Sequence, residues 1–149
     1  GDQVRLDIAQ AAAQQLKEVG IDCTVEVPTE VDWGGQMAYL IGWGSPFDAD
    51  DHTYKVFGTD KGANYSSYSN ALVDQYLIEA RESADPAVRA EAYDKFQEEL
   101  AKDPAFTFIC YIDANYVANS SIQGISADTV MGHHGVGIFW NVADWTIGN

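Results

Sequence analysis

The stretch IAQAAAQQLKEVGIDCTVEV, residues 8–27, decides the predicted fold class because its hydrophobic period changes at Gly20. Apolar residues recur every three or four positions up to Val19, which predicts an amphipathic helix that ends at Gly20. Apolar and polar residues then alternate from Cys23 to Val27, which predicts a half-buried strand. A helix followed at once by a strand indicates an α/β fold.

Further apolar runs predict the centre of a sheet. Residues 37–43 (MAYLIGW) and 106–112 (FTFICYI) are short and continuously apolar, which is typical of strands covered on both faces, and residues 116–118 predict a shorter strand. Between these runs, Asn70 and Asp85 are predicted N-caps of two helices. We therefore expect a mixed sheet flanked by helices.

The charge balance restricts the partners. The 149 residues contain 8 basic and 23 acidic side chains, which gives a net charge of −15. Such a chain repels phosphate backbones and anionic lipid surfaces, so nucleic acid is not an expected partner. No run approaches the roughly 18 apolar residues of a membrane span. The abrupt start into a helix suggests a longer protein.

The two cysteines leave two interpretations open. Cys23 and Cys110 are far apart in the sequence, lie in apolar surroundings and lack the CxxC spacing of a zinc or redox site. They are either buried free thiols or a single bridge between neighbouring strands.

An acidic cluster invites a metal interpretation. Clustered carboxylates suit calcium and a histidine suits a transition metal, but an EF-hand loop that starts at Asp48 would place Thr53 and Thr59 where Gly and Glu are needed. The alternative is a helix start, where acidic residues favour the helix dipole. Neighbouring His133 and His134 would point to opposite faces of an extended chain. We predict no metal site; the cluster contains Asp48, Asp50, Asp51 and His52.

Catalytic signatures are absent from the sequence. It contains no GxSxG elbow, no Walker sequence and no HExxH, and neither cysteine has a nearby histidine pattern. Tryptophans near carboxylates also occur in glycoside hydrolases. We therefore predict a protein that is not an enzyme, with no catalytic residue and no cofactor. The alternatives are a secreted carbohydrate-active or other hydrolase, and an extracellular interaction or sensor domain.

Short motifs in a fixed order carry a family resemblance. The motifs are Arg5, the run from Leu16 to Asp22, Gly42-Trp43-Gly44, Asn64-Tyr65, Tyr68-Ser69-Asn70, Val73-Asp74, and Arg89-Ala90 with Tyr93. In the order and spacing of these motifs, the chain resembles the family 5 extracellular solute-binding proteins of ABC importers, which include peptide, nickel and opine binders.

The resemblance implies the C-terminal lobe of a two-lobed periplasmic-binding-protein-like fold. Residues 1–124 would form the ligand-binding lobe, and residues 125–149 would be a tail that returns to the missing N-terminal lobe. The expected partners are a small solute in a cleft shared with that lobe and the permease subunits of the importer, with self-association of the fragment through its tail. The expected location is extracellular or periplasmic, with lipoprotein anchoring of the full-length form.

The resemblance also implies ligand-binding residues near Trp43. In peptide-binding members an aspartate shortly after the tryptophan pairs with the ligand's amino group, whereas this chain has Pro46 within Trp43-Gly44-Ser45-Pro46-Phe47. That run is similar to the Trp-Gly-x-Pro-aromatic pattern of the nickel-binder branch. A purely structural role for Trp43 stays open. The candidate ligand-binding residues are Trp43, Ser45, Phe47, Asp48 and His52.

Overall fold

The computed structural model describes residues 2–33, 35, 37–44, 48–113, 115–126 and 137–148. Contacts divide the chain into two compact units, Gly1–Gly42 and Trp43–Asn149. None of the helices in the described ranges is both long and apolar enough to cross a membrane.

The first unit contains one helix, α1 (Gln3–Glu18). The Asp2 side chain accepts hydrogen bonds from the backbone N–H groups of Val4 and Arg5, so it satisfies two donors that the first turn leaves free. The helix stops before Gly20, whose φ of 87° is available to glycine at little cost. The predicted helix and its end are confirmed.

The second unit contains three helices, α2 (Ala49–Phe57), α3 (Ala71–Glu82) and α4 (Pro86–Lys102). The Asn70 side chain caps α3 by accepting from Leu72 N–H at 2.9 Å, and the Asp85 side chain caps α4 by accepting from Ala87 N–H at 2.8 Å. Both predicted caps are confirmed. The sequence indicated them because a capping side chain binds backbone N–H groups only a few positions away.

The core of the second unit lies where α3 packs against α4 and α2 packs against α3. Phe57 at the end of α2 extends this core, with its ring centroid 5.4 Å from that of Phe96. Apolar residues at helical spacing on α3 and α4 face each other, as the sequence period requires. The buried cluster consists of Tyr68, Val73, Leu77, Phe96 and Leu100.

The described residues form a small antiparallel sheet, in which β1 (Ile122–Gln123) pairs with β2 (Thr146–Ile147). A kinked 3₁₀ segment, Gly137–Asp144, precedes β2. Asn141 donates from Nδ2 to the Gly124 carbonyl at 2.9 Å, and Gly148 N–H donates to the Ser121 carbonyl at 2.7 Å. These bonds connect residues 137–148, which lie in the predicted tail, to residues 121–124 just before it.

The predicted strands at residues 23–27, 37–43, 106–112 and 116–118 are wrong for the described chain, where these residues belong to no strand. Met37 and Tyr111 are fully exposed, with relative accessibilities of 106% and 102%. An apolar pattern specifies which faces need cover, but a strand also needs the N–H and C=O groups of a neighbour. No described segment supplies them, so the observed architecture is helices with a small sheet.

The cysteine interpretations are corrected for the same reason. Cys23 and Cys110 are both exposed and neither is in a disulfide. Each lies in a predicted strand that is not covered, so the thiols are not buried.

A glycine between β1 and the 3₁₀ segment gives a testable prediction. Gly124 has φ of 91°, and a Cβ there would lie 2.8 Å from the Asp144 carbonyl oxygen. Gly124→Ala therefore combines left-handed strain, about 1–2 kcal/mol, with a collision against backbone. We expect loss of amide-exchange protection at Gly148, measured by NMR.

The matched control is Gly62→Ala, because a Cβ at Gly62 meets nothing within 4 Å. That variant should leave the exchange of the Gly148 amide unchanged. Equal protection in both variants would contradict the proposed strain at Gly124.

Candidate functional site

Trp43, at the start of the second unit, lies in a group of three aromatic rings. Its ring centroid is 5.7 Å from that of His52, with an interplanar angle of 59°, and 6.2 Å from that of Tyr65, with a nearly parallel angle of 10°. Trp43 remains 39% exposed. We call Trp43, His52 and Tyr65 the aromatic cluster. An exposed, flanked indole offers a rigid apolar surface to a ligand.

Helix α2 positions His52 in this cluster. Asp48 Oδ1 accepts from Asp50 N–H at 2.8 Å, which makes Asp48 the N-cap of α2. Asp50 and Asp51 occupy the first turn, where negative charge favours the helix dipole. His52 follows the cap by about one turn. The helix-start interpretation of the acidic cluster is confirmed.

Arg89 on α4 also binds the carboxylate of Asp48, the N-cap residue of α2. Its Nη2 lies 2.6 Å from Asp48 Oδ1 and 2.8 Å from Asp48 Oδ2, and its Nη1 donates to the Ala80 carbonyl at 2.9 Å. Because Nη1 and Nη2 of one planar guanidinium bind different partners, the directions of both contacts are fixed relative to each other. The N-terminus of α2 is thus tied to the last turn of α3 and the first turn of α4.

The remaining acidic residues of the cluster also face cations. Arg81 Nε lies 3.6 Å from Asp50 Oδ2, and Lys55 Nζ lies 2.9 Å from Asp51 Oδ1. His52 Nδ1 is 3.3 Å from Asp51 Oδ2. Within the described residues no group of three or more His, Cys, Asp or Glu is arranged to hold a metal ion.

The loop between α2 and α3 positions Tyr65. Asn64 donates from Nδ2 to the carbonyls of Gly58 and Tyr68, at 2.9 and 2.7 Å, and its Oδ1 accepts from Tyr68 N–H at 3.0 Å. The side-chain amide of Asn64 thereby links Gly58 and Tyr68, near the two ends of the loop. The loop also borders a polar cavity of about 370 Å³ lined by Thr59, Asp60, Asn64, Ser67, Tyr68 and Ser69.

Of the five predicted ligand-binding residues, the structure describes Trp43, Asp48 and His52. Trp43 and His52 are in contact in the aromatic cluster, whereas the Asp48 carboxylate is engaged by a helix cap and by Arg89. Ser45 and Phe47 lie outside the described residues, and so does Pro46. His133 and His134, for which we predicted no metal site, also lie outside them.

Sequence reasoning missed Tyr65 as a neighbour of Trp43. The Asn64-Tyr65 pair contributed to the family resemblance without being assigned to the site. An aromatic residue in a loop otherwise made of Gly, Asn and Ser was the available signal, since such loops carry binding residues on a rigid scaffold.

The pKa of Asp48 leads to a prediction about acid stability. The Asp50 backbone N–H, followed by the Arg89 side chain, holds that pKa below its usual range. The cap and ion pair therefore stabilise the fold fully above the unfolded-state pKa, about 3.9, and lose this effect as pH falls through the lower folded-state value.

Asp48→Asn keeps a good N-cap but removes the titrating carboxylate. We expect this variant to lose less stability than the parent protein between about pH 6 and about pH 2, measured by urea unfolding. Equal losses in the two proteins would show that Asp48 is not coupled to folding.

Known proteins resemble this chain in sequence, although no protein-family model matches it. The chain is 37% identical over 133 residues to Protein XP55 of Streptomyces lividans, a match that covers 85% of this chain and 24% of that protein. It is 26% identical over 159 aligned positions to the oligopeptide-binding protein AppA of Bacillus subtilis, covering 97% of this chain and 27% of AppA.

A solved structure is also similar. NikZ from Campylobacter jejuni, solved in complex with Ni(L-His), matches 97% of this chain with a TM-score of 0.82 and 33% sequence identity. The match covers 31% of the NikZ chain. This chain therefore spans between about a quarter and a third of the length of the proteins that it resembles.

Proposed function

We propose that this chain, which resembles the family 5 extracellular solute-binding proteins in sequence and in fold, is the ligand-binding lobe of an ABC importer's solute-binding protein. The role is non-catalytic. AppA is by name a binding protein, and NikZ was solved with a bound metal complex. We extend that binding role to this chain.

The observation that carries the proposal is Trp43, which is 39% exposed and has His52 and Tyr65 as ring neighbours. Small-molecule sites combine apolar or aromatic walls with a few oriented polar groups. The neighbouring rings restrict the indole, so a ligand that stacks on it pays little entropy for ordering the wall. We propose Trp43 and Phe47 as the principal wall, with Ser45, Asp48 and His52 as polar candidates.

Our preferred ligand class is a metal ion carried by a small organic chelator. The carboxylates of Asp48, Asp50 and Asp51 each already face a cationic side chain, so they are poor ligands for a bare ion. A chelator satisfies the metal itself and presents organic surface to the aromatic wall. Pro46, where peptide binders have aspartate, also disfavours recognition of a free peptide amino group.

The wider assignment rests on the same resemblance. We propose residues 1–124 as the C-terminal lobe and residues 125–149 as a segment that returns towards an N-terminal lobe, with a mixed sheet completed in the full-length protein. The solute would lie between the lobes, and the closed protein would dock on permease subunits. Extracellular or periplasmic location, lipoprotein anchoring and self-association of the isolated fragment through its tail belong to this proposal.

A thermal-shift experiment on the full-length protein tests the function. The probes are Ni²⁺ with L-histidine, Ni²⁺ alone, L-histidine alone and a mixture of oligopeptides. A ligand at 100 times its Kd stabilises the native state by about 2.7 kcal/mol and raises the unfolding midpoint. We expect a rise with Ni²⁺ plus L-histidine that exceeds the effect of either component.

Each other outcome changes the proposal. A rise with oligopeptides alone would overturn the chelate assignment and keep the binding role. No rise with any probe, together with hydrolysis of glycoside or peptide substrates, would overturn the binding role in favour of an enzyme.

A further inference from the structure

Arg89 joins three helices at one point. Its guanidinium contacts both Asp48 carboxylate oxygens, and it donates to Ala80 in the last turn of α3, where a carbonyl lacks a helical partner. The guanidinium also lies over the Tyr93 ring, 5.5 Å from its centroid. The side chain is only 22% exposed, so its position is restricted by packing.

A short chain of contacts leads from Arg89 to the aromatic cluster. Arg89 holds Asp48, Asp48 caps the first turn of α2, and that turn carries His52 against the Trp43 ring. The helix transmits position over this distance because its backbone hydrogen bonds make one turn rigid. Rotation or displacement of the α2 N-terminus would therefore move one neighbour of Trp43.

The geometry points to Arg89 as a positioning residue for the ligand wall: it sets the place of α2's first turn and thereby the orientation of the Trp43 ring. The consequence for binding rests on the proposed function, whereas the effect on Trp43 does not. Nothing in the resemblance assigns this role; there Arg89 is only one residue of a motif.

The Arg89–Asp48 ion pair fixes the position of α2 more than it stabilises the fold. The Asp48 side chain is 59% exposed, and ion pairs at such sites contribute little free energy of folding. Lysine cannot replace arginine here, because its single ammonium nitrogen cannot take the places of both Nη1, which donates to the Ala80 carbonyl, and Nη2, which donates to Asp48.

The test uses the full-length protein labelled with 5-fluorotryptophan and observed by ¹⁹F NMR without ligand. Trp43→Phe identifies the Trp43 resonance. The variants are Arg89→Gln, Arg89→Lys and Asp48→Asn, the last of which keeps the helix cap. The control is Lys95→Gln, which removes a cation from the same helix by breaking the exposed Lys95–Glu91 pair of 2.7 Å.

We expect the Trp43 resonance to shift or broaden in all three test variants and to stay in place in Lys95→Gln. The double variant with Asp48→Asn and Arg89→Gln should shift it no further than Arg89→Gln alone, because both changes break one contact. An unmoved Trp43 resonance in Arg89→Gln and Arg89→Lys would overturn the inference, and so would an equal shift in the control.

A binding measurement separates this inference from the proposed function. With Ni²⁺ plus L-histidine as the probe, Arg89→Lys should raise Kd about tenfold, which corresponds to a loss of about 1.4 kcal/mol of binding free energy. A moved resonance with unchanged Kd would overturn the binding role of Arg89. If the parent protein does not bind this probe, the chelate assignment of the proposed function fails, and the resonance alone decides whether Arg89 positions Trp43.

Discussion

Replacing Leu77 with alanine should lower the free energy of unfolding by about 2–5 kcal/mol, the usual cost of a leucine-sized cavity in a core. Leu77 is 1% exposed and belongs to the buried cluster formed with Phe96 and Leu100 of α4. Because α3 is held mainly by this face, the cavity weakens the contact that organises the second unit. Urea unfolding followed by circular dichroism measures the change.

Leu72→Ala on the same helix is the matched control. Leu72 is 44% exposed, so the same truncation removes less buried surface and should cost less than about 1.5 kcal/mol. Similar losses at the two positions would contradict a core centred between α3 and α4.

Replacing Trp43 with alanine should weaken ligand binding by about 30-fold or more, since a stacked aromatic anchor typically contributes about 2 kcal/mol or more to binding. The change removes the indole and leaves His52 and Tyr65 without their common neighbour. Titration of the full-length protein with Ni²⁺ plus L-histidine, by calorimetry, measures the loss. Trp43→Phe should retain part of the affinity because it keeps an aromatic face.

Trp33→Ala provides the comparison for Trp43→Ala. Trp33 is a tryptophan of similar exposure, 46%, and lies in the first unit. Its removal should leave Kd unchanged. Equal losses of affinity for the two alanine variants would indicate a general effect of tryptophan removal and would argue against Trp43 as a wall of the site.

The helices were predictable because their signals are local. Asn70, Asp85 and Gly20 each act on backbone groups within a few residues, so a single sequence contains the whole cause. The strands were not predictable in the same way. The run at residues 106–112 has the composition of a buried strand, but pairing depends on a partner that no local pattern specifies.

The candidate site likewise combines a local feature that the sequence predicted with distant contacts that it did not. The acidic residues before Thr53 indicated a helix start, and Asp48 does cap α2. Its partner Arg89 lies 41 positions away, and no spacing rule connects them. Tyr65 likewise reaches Trp43 only because Asn64 folds the intervening loop.

The exposed thiols of Cys23 and Cys110 make the chain a ready subject for distance spectroscopy. One thiol lies in each compact unit and both are free, so two nitroxide labels can be attached without introducing any cysteine into this chain. Pulsed electron resonance then gives the separation of the labels as a distribution rather than a single value. Recorded with and without a solute, that distribution reports whether the two units change their spacing when the protein is loaded.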